Sequence, residues 1–257
     1  MYLSTSFEFN IHFTGSKGNC ASIYYKNLGF LIDVGKPYRH IEPYLFDKQF
    51  ILISHRHHDH LVYTTYKKIR ENFPQIKILG NADVNNQLIK RKLPELDIIF
   101  KDDFQFKIGD VKVTTLQNYH GAGEEYVETH GFILESPSQN LLFATDLSTL
   151  VDYETYLLTN NLKLDIILLE ANYKPEVIEF YESTKQHTGY DVFSNGSYRH
   201  LDTSQRKLFV DKFGNKGYTN VELHQSETYR TFEGLIKKSK GKISMQDVDK
   251  WLNRWYS

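Results

Sequence analysis

The stretch ILISHRHHDH, residues 51–60, sets four histidines and an aspartate directly behind a short apolar run. The chain spends four of its eleven histidines within the six positions 55–60. Such clusters do little for packing, but neutral imidazole is the commonest metal ligand among the side chains. FILIS (50–54) is a continuous apolar segment of strand length, as expected for a sheet covered on both faces. In extended backbone, residues two apart face the same way, so His55 and His57 are placed to grip one ion. The chain must then turn, which brings Asp59 and His60 to a second ion. His58 points away by the same alternation and reads as a bystander.

Working outward, other strand-like segments end in the same manner. VKVTTLQNY runs into His120, LLFAT into Asp146, DIILL into Glu170 and NVEL into His224. If these strands share sheets, one edge of the molecule collects every one of these groups. Imidazoles with hard carboxylates suit zinc, with manganese or iron as alternatives. Asp146, with two oxygens, is the candidate to bridge two ions. The remaining histidines, His12, His40, His130 and His187, read as structural or exposed.

The other segments complete a single α/β domain of sheets flanked by helices. FEFNIHF, CASIYY, GFLIDVG, QIKIL (75–79) and GFILES (131–136) read as strands. Residues 61–72, ADVNNQLIKRKL and SQRKLFVDKFG (204–214) read as helices, the last closed by its glycine. A core of about 9–230 is followed by a charged, partly helical tail over 231–257. Hydrophobic residues make up 40% of the chain, enough for a sizeable core. The net charge is -1, without the basic excess usual in proteins that track long nucleic acids, so extended nucleic acid is not the expected partner. No apolar run reaches the roughly 18 residues of a membrane span, and one cysteine, Cys20, excludes an internal disulfide. A cytoplasmic protein is expected.

His55, His57, Asp59 and His60, with His120, Asp146 and His224, resemble the metal-binding motifs of the metallo-β-lactamase superfamily. The resemblance implies an αββα sandwich with two zinc ions at one edge. It places His55, His57 and His120 on one zinc, Asp59, His60 and His224 on the other, and Asp146 between them. LLEANY (168–173), RHLDTSQ (199–205) and LHQSETY (223–229) are similar to the late motifs of phosphodiesterases related to RNase Z. In that branch a glutamate orients a histidine that protonates the leaving oxygen, which here implies Glu170 and His200. Asp59, at the edge of the site, is a further candidate to accept a hydrogen bond from the attacking water.

The departures narrow the branch. RNase Z enzymes carry a long tRNA-clamping arm between the motif histidine and the bridging aspartate, whereas only residues 121–145 separate His120 from Asp146 here. The turn GSKGN (15–19) looks more like single-domain relatives, including the WalJ/YycJ-like exonucleases, and its amides are candidates to border the metal edge. The compact chain and neutral charge are most similar to the phage anti-Pycsar proteins. That resemblance implies hydrolysis of 3′,5′-cyclic mononucleotides to nucleoside monophosphates, evasion of a host defence signal, and a homodimer. The alternative is a nuclease acting on DNA or RNA. Tyr198, with Tyr173, Tyr190 and Phe193, is the candidate to stack a base. KKSKGK (237–242) reads as a solvated charge run.

Overall fold

The computed structural model describes residues 4–120, 127–184, 196–225, 227–238 and 244–252. Two six-stranded mixed sheets pack face to face. The first is built in chain order from β1 (Glu8–Phe13), β2 (Cys20–Tyr25), β3 (Leu28–Ile32), β4 (Phe50–Leu52), β5 (Lys77–Asn81) and β6 (Ile98–Phe100). The second holds β7 (Gln105–Ile108), β8 (Val111–Gln117), β9 (His130–Glu135), β10 (Asn140–Ala144), β11 (Leu164–Glu170) and β12 (Gly214–Leu223), again in chain order across the sheet.

The period-2 pattern of the strands sorts their side chains between two layers. Phe30, Ile32, Leu52 and Leu79 from the first sheet meet Phe132, Leu134, Leu141 and Leu168 from the second in one buried cluster. Each such side chain contributes about 1.5–3 kcal/mol of transfer free energy. The outward faces are covered by helices. α1 (Tyr38–Ile41), α2 (Tyr63–Asn72) and α3 (Ala82–Lys90) cover the first sheet through Ile41, Tyr66, Ile69, Val84 and Leu88. α4 (Val151–Thr159) and α6 (Thr203–Phe213) cover the second through Tyr153, Leu157, Phe209 and Val210, with α5 (Pro175–Thr184) between them in the chain. The order is αββα, as the sequence predicts. No described helix is long and apolar enough to cross a membrane.

Three expectations change. α6 is closed at Gly214, but with an extended φ of -62° rather than a left-handed one, because the chain passes directly into β12. A Cβ there would lie 2.8 Å from the Val210 carbonyl and 2.7 Å from the Tyr218 ring, which is why glycine is required. The strand FILIS stops at Leu52. The stretch read as a charged, partly helical tail does hold helices, but they are packed: α7 (Glu227–Lys238) and α8 (Met245–Leu252) set Tyr229, Phe232, Val248 and Trp251 against Ile178 and Tyr181 of α5. Tyr229, Phe232 and Ile236 recur at helical spacing, a stripe hidden among the charges.

Candidate metal centre

β8, β10, β11 and β12 all run in one direction, since β9 is antiparallel to both β8 and β10 while β10, β11 and β12 are mutually parallel. Their C-terminal ends therefore share one edge of that sheet, and the contacts of His60 with Asp146 and of His55 with His120 place the end of β4 beside it. Asp33 (φ 62°), Asp146 (φ 56°) and His224 (φ 50°), all at strand ends, adopt left-handed backbone conformations. Aspartate and histidine tolerate this region better than most residues. The sharp turn there ends each strand and swings the side chain back over the edge.

β4 ends because Asp33 intervenes. Ile53 still donates to the Leu79 carbonyl, but Ser54 N–H donates to Asp33 Oδ1 at 2.8 Å, so the ladder stops. Residues 56–60 then bend and turn. Extended backbone therefore does not bring His55 and His57 together, as the sequence had implied; the bend does, with His55 Nε2 2.9 Å from His57 Nδ1. His58 is exposed.

Hydrogen bonds aim the rings. His60 Nδ1 pairs with Asp33 Oδ2 at 2.7 Å, His55 Nδ1 with Ser54 Oγ at 3.0 Å, and His120 Nδ1 with the Arg199 carbonyl at 3.2 Å. Each bond leaves Nε2 as the inward atom, the outer support that metal-binding histidines require. Asp146 Oδ2 lies 2.8 Å from His60 Nε2, and its Oδ1 lies 3.6 Å from both His120 Nε2 and His224 Nε2. It thus stands among His60, His120 and His224. His224 Nε2 is 3.7 Å from Asp59 Oδ2.

These side chains fit a metal. The ligand atoms of His55, His60 and Asp146 lie within 4.8 Å of one another, and so do those of Asp59, His60 and His224. Among the described residues, Asp146 Oδ2 and both His224 nitrogens are buried with no aligned hydrogen-bond partner, an arrangement that costs free energy unless a cation satisfies them. His57 joins at the rim, its ring 4.7 Å from that of His55 and 5.6 Å from that of His120. Imidazole and carboxylate donors suit zinc, and also manganese or iron.

Beside this cluster, Glu170 is fully buried and accepts the N–H groups of Asp146 at 2.7 Å and Leu201 at 2.8 Å. Its Oε2 also lies 3.2 Å from His200 Nδ1. The His200 ring stacks on His224 with centroids 5.1 Å apart. Its side chain is 15% exposed, more than the 0–8% of His60, His120 and His224. Tyr198 is exposed and meets Tyr173 edge to face; Tyr190, Phe193 and His187 lie outside the described residues. His130 is buried against Asp102, His12 bonds Ser22, and His40 is exposed. Lys237 pairs with Glu233, and the remainder of KKSKGK beyond Lys238 lies outside the described residues.

Burial holds His55, His57 and His120 below the ordinary histidine range, so they are neutral and ready to bind a cation. His224 behaves oppositely. Burial opposes its charge, but the Asp146 and Asp59 carboxylates outweigh burial and raise it to about 9. His60 is raised likewise: burial lowers it, but Asp146 and Asp33 prevail. Against this, the Asn19 amide donor faces its Nε2 at 2.8 Å and favours a lone pair there, so the proton count rests on His224. A raised folded-state value stabilises fully below about 6.5 and loses that contribution as pH rises through about 9. Chelator-treated protein should therefore lose unfolding free energy between pH 7 and 9.5 in denaturant titrations, and metal should suppress the loss by replacing the proton. A flat profile without metal would contradict the protonated His224.

Asp33, Ser54 and Thr14 carry support roles that the motif reading did not assign, and Asn19 of the GSKGN turn lies against Asp59 and His60, at the edge where that turn was expected. Asp33 had a signal, since it too ends an apolar strand. The others bond through contacts made only in the folded chain.

Residues 32–205, about two thirds of the chain, match the family model described as Beta-lactamase superfamily domain. The chain belongs to this family. No curated protein matches its sequence. Among solved structures, the superfamily domain is similar to human tRNase Z, short form, at 13% identity and a TM-score of 0.60, covering 88% of this chain and 94% of that one. A diphosphatase of the PhnP family aligns at 16% identity and 0.60 over 86% and 88% of the two chains. Zn2+-bound PqqB from Methylobacterium extorquens aligns at 10% and 0.60 over 92% and 96%. At these identities the likeness is one of fold.

Proposed function

We propose that this superfamily member is a dinuclear-zinc phosphodiesterase that hydrolyses 3′,5′-cyclic mononucleotides to nucleoside monophosphates. We further infer that it serves a phage against a cyclic-nucleotide defence signal, as in the anti-Pycsar proteins it resembles. The observation that carries the reaction is the Glu170–His200 pair, 3.2 Å apart, on the accessible side of the buried ligand cluster. A tRNase and a diphosphatase by name stand among the structural neighbours, which favours phosphorus chemistry.

His55, His57 and His120 would hold one metal, Asp59, His60 and His224 the other, with Asp146 shared. Bound there, the ions would supply Lewis acidity and water activation at neutral pH. The protein's own part is proton delivery. Glu170 engages His200 through Nδ1, which leaves Nε2 to donate to the ester oxygen as it departs. Glu170 also carries the Asp146 and Leu201 backbone, so acid and ligand cluster are held by one carboxylate. The short chain between His120 and Asp146 supports a small substrate. β9 and β10 with their turn fill residues 130–144, which leaves no length for a clamping arm.

Zinc-loaded protein is expected to convert cyclic nucleotides to monophosphates, to leave labelled single-stranded DNA and RNA intact, and to lose activity with chelator. Degraded polymer with intact cyclic nucleotide would move the assignment to the nuclease relatives.

A further inference from the structure

One short turn touches Asp59, His60 and His224, the unshared ligands of the proposed second metal position. Thr14 Oγ1 accepts the His224 N–H at 2.7 Å. Asn19 N–H donates to the Asp59 carbonyl at 2.7 Å. The Asn19 carboxamide Nδ2 lies 3.2 Å from that same carbonyl, 3.5 Å from Asp59 Oδ2 and 2.8 Å from His60 Nε2. Its oxygen accepts the Gly15 N–H at 2.9 Å, which fixes the amide so that the donor side faces the metal ligands. Asn19 is only 2% exposed.

Two glycines let the turn come this close. A Cβ on Gly18 would sit 2.2 Å from the Gly35 carbonyl, and a Cβ on Gly35 would sit 1.7 Å from the Asp59 carbonyl. Turn, β3 end and metal loop therefore interlock at backbone distance. His55, His57 and His120 are supported elsewhere. Ser54 holds His55, and Arg199 and Thr129 hold His120; among the described residues no hydrogen bond joins these three to the turn.

We propose that the Thr14–Asn19 turn is the positioning element of the second metal position alone. Asn19 aligns Asp59 through its backbone carbonyl and its carboxylate, and Thr14 fixes the His224 backbone. The turn thereby tunes affinity at Asp59, His60 and His224 through contacts that, among the described residues, it does not make to His55, His57 and His120, while Asp146 and Ser54 are common to both halves. This rests on the ligand assignment given under the proposed function.

The test is stepwise titration of chelator-stripped protein with Zn2+ by calorimetry and with Co2+ by visible absorption, alongside thermal unfolding without metal. Asn19→Ala should weaken the second step by about 10–100-fold, the usual effect of removing an outer support of a ligand, and leave the first unchanged. Thr14→Val, at an exposed position, should weaken the same step by less. Wild-type protein that binds no second equivalent would overturn the ligand assignment itself. A wild type that binds two, with variants that weaken neither step or both equally, would overturn the role of the turn. If Asn19→Ala does not fold, an unchanged second step in Thr14→Val overturns it alone.

Discussion

Replacing His200 with alanine is expected to leave zinc content unchanged and to reduce turnover of cyclic nucleotides by about 10²–10⁴-fold, the usual worth of a positioned proton donor. The expectation comes from what the ring touches. His200 Nδ1 is engaged by Glu170 at 3.2 Å and lies 4.0 Å from Asp146 Oδ1, whereas His224 Nε2 lies 3.7 Å from Asp59 and 3.6 Å from Asp146, so His224 stands deeper in the carboxylate cluster. Removing His200 takes away a proton source without breaking the cluster. The loss should shrink for a phosphodiester with a nitrophenolate leaving group, which departs without a proton. Equal loss on both substrates would point to a distorted centre, and unchanged turnover would reject the acid role outright.

Asp146→Ala should abolish turnover and remove metal together. Asp146 is 3% exposed and faces His60, His120 and His224, so no neighbouring carboxylate can replace its position between the two ligand sets. Its carboxyl is held well below the usual range: burial opposes ionisation, but His224 and His60 outweigh it. In wild-type protein, zinc at a thousand times its dissociation constant should add about 4 kcal/mol of stability. Each kcal/mol moves the melting temperature of a domain of this size by about 2–4 °C. The variant should show little of that zinc-dependent rise. A full zinc-induced shift in Asp146→Ala would show that the metal is held without it.

Much of this centre is legible in one dimension because its ligands follow a rule of chain geometry. Parallel strands end at one edge of a sheet, so polar residues just beyond apolar runs converge, and His120, Asp146, Glu170 and His224 could be read that way. Asp33 obeys the same rule, yet an aspartate closing a strand looks like a turn residue until its bond to His60 is seen. The tail misled because charged residues dominate it, while Phe232 and Trp251 are buried against Tyr181 of α5.

The sequence by itself placed most of the strands and the candidate ligands at their ends, because residue type, spacing and strand ends are local properties, and its motifs carried the resemblance that implied the αββα order. Only the tertiary structure decided how those ligands are held. The bend at 56–60, the tautomers set by Asp33, Ser54 and the Arg199 carbonyl, and the clasp of Thr14 and Asn19 on the far half of the site join residues up to 210 positions apart. Hydrogen bonds across such distances exist only once the two sheets have packed, and no spacing along the chain encodes them.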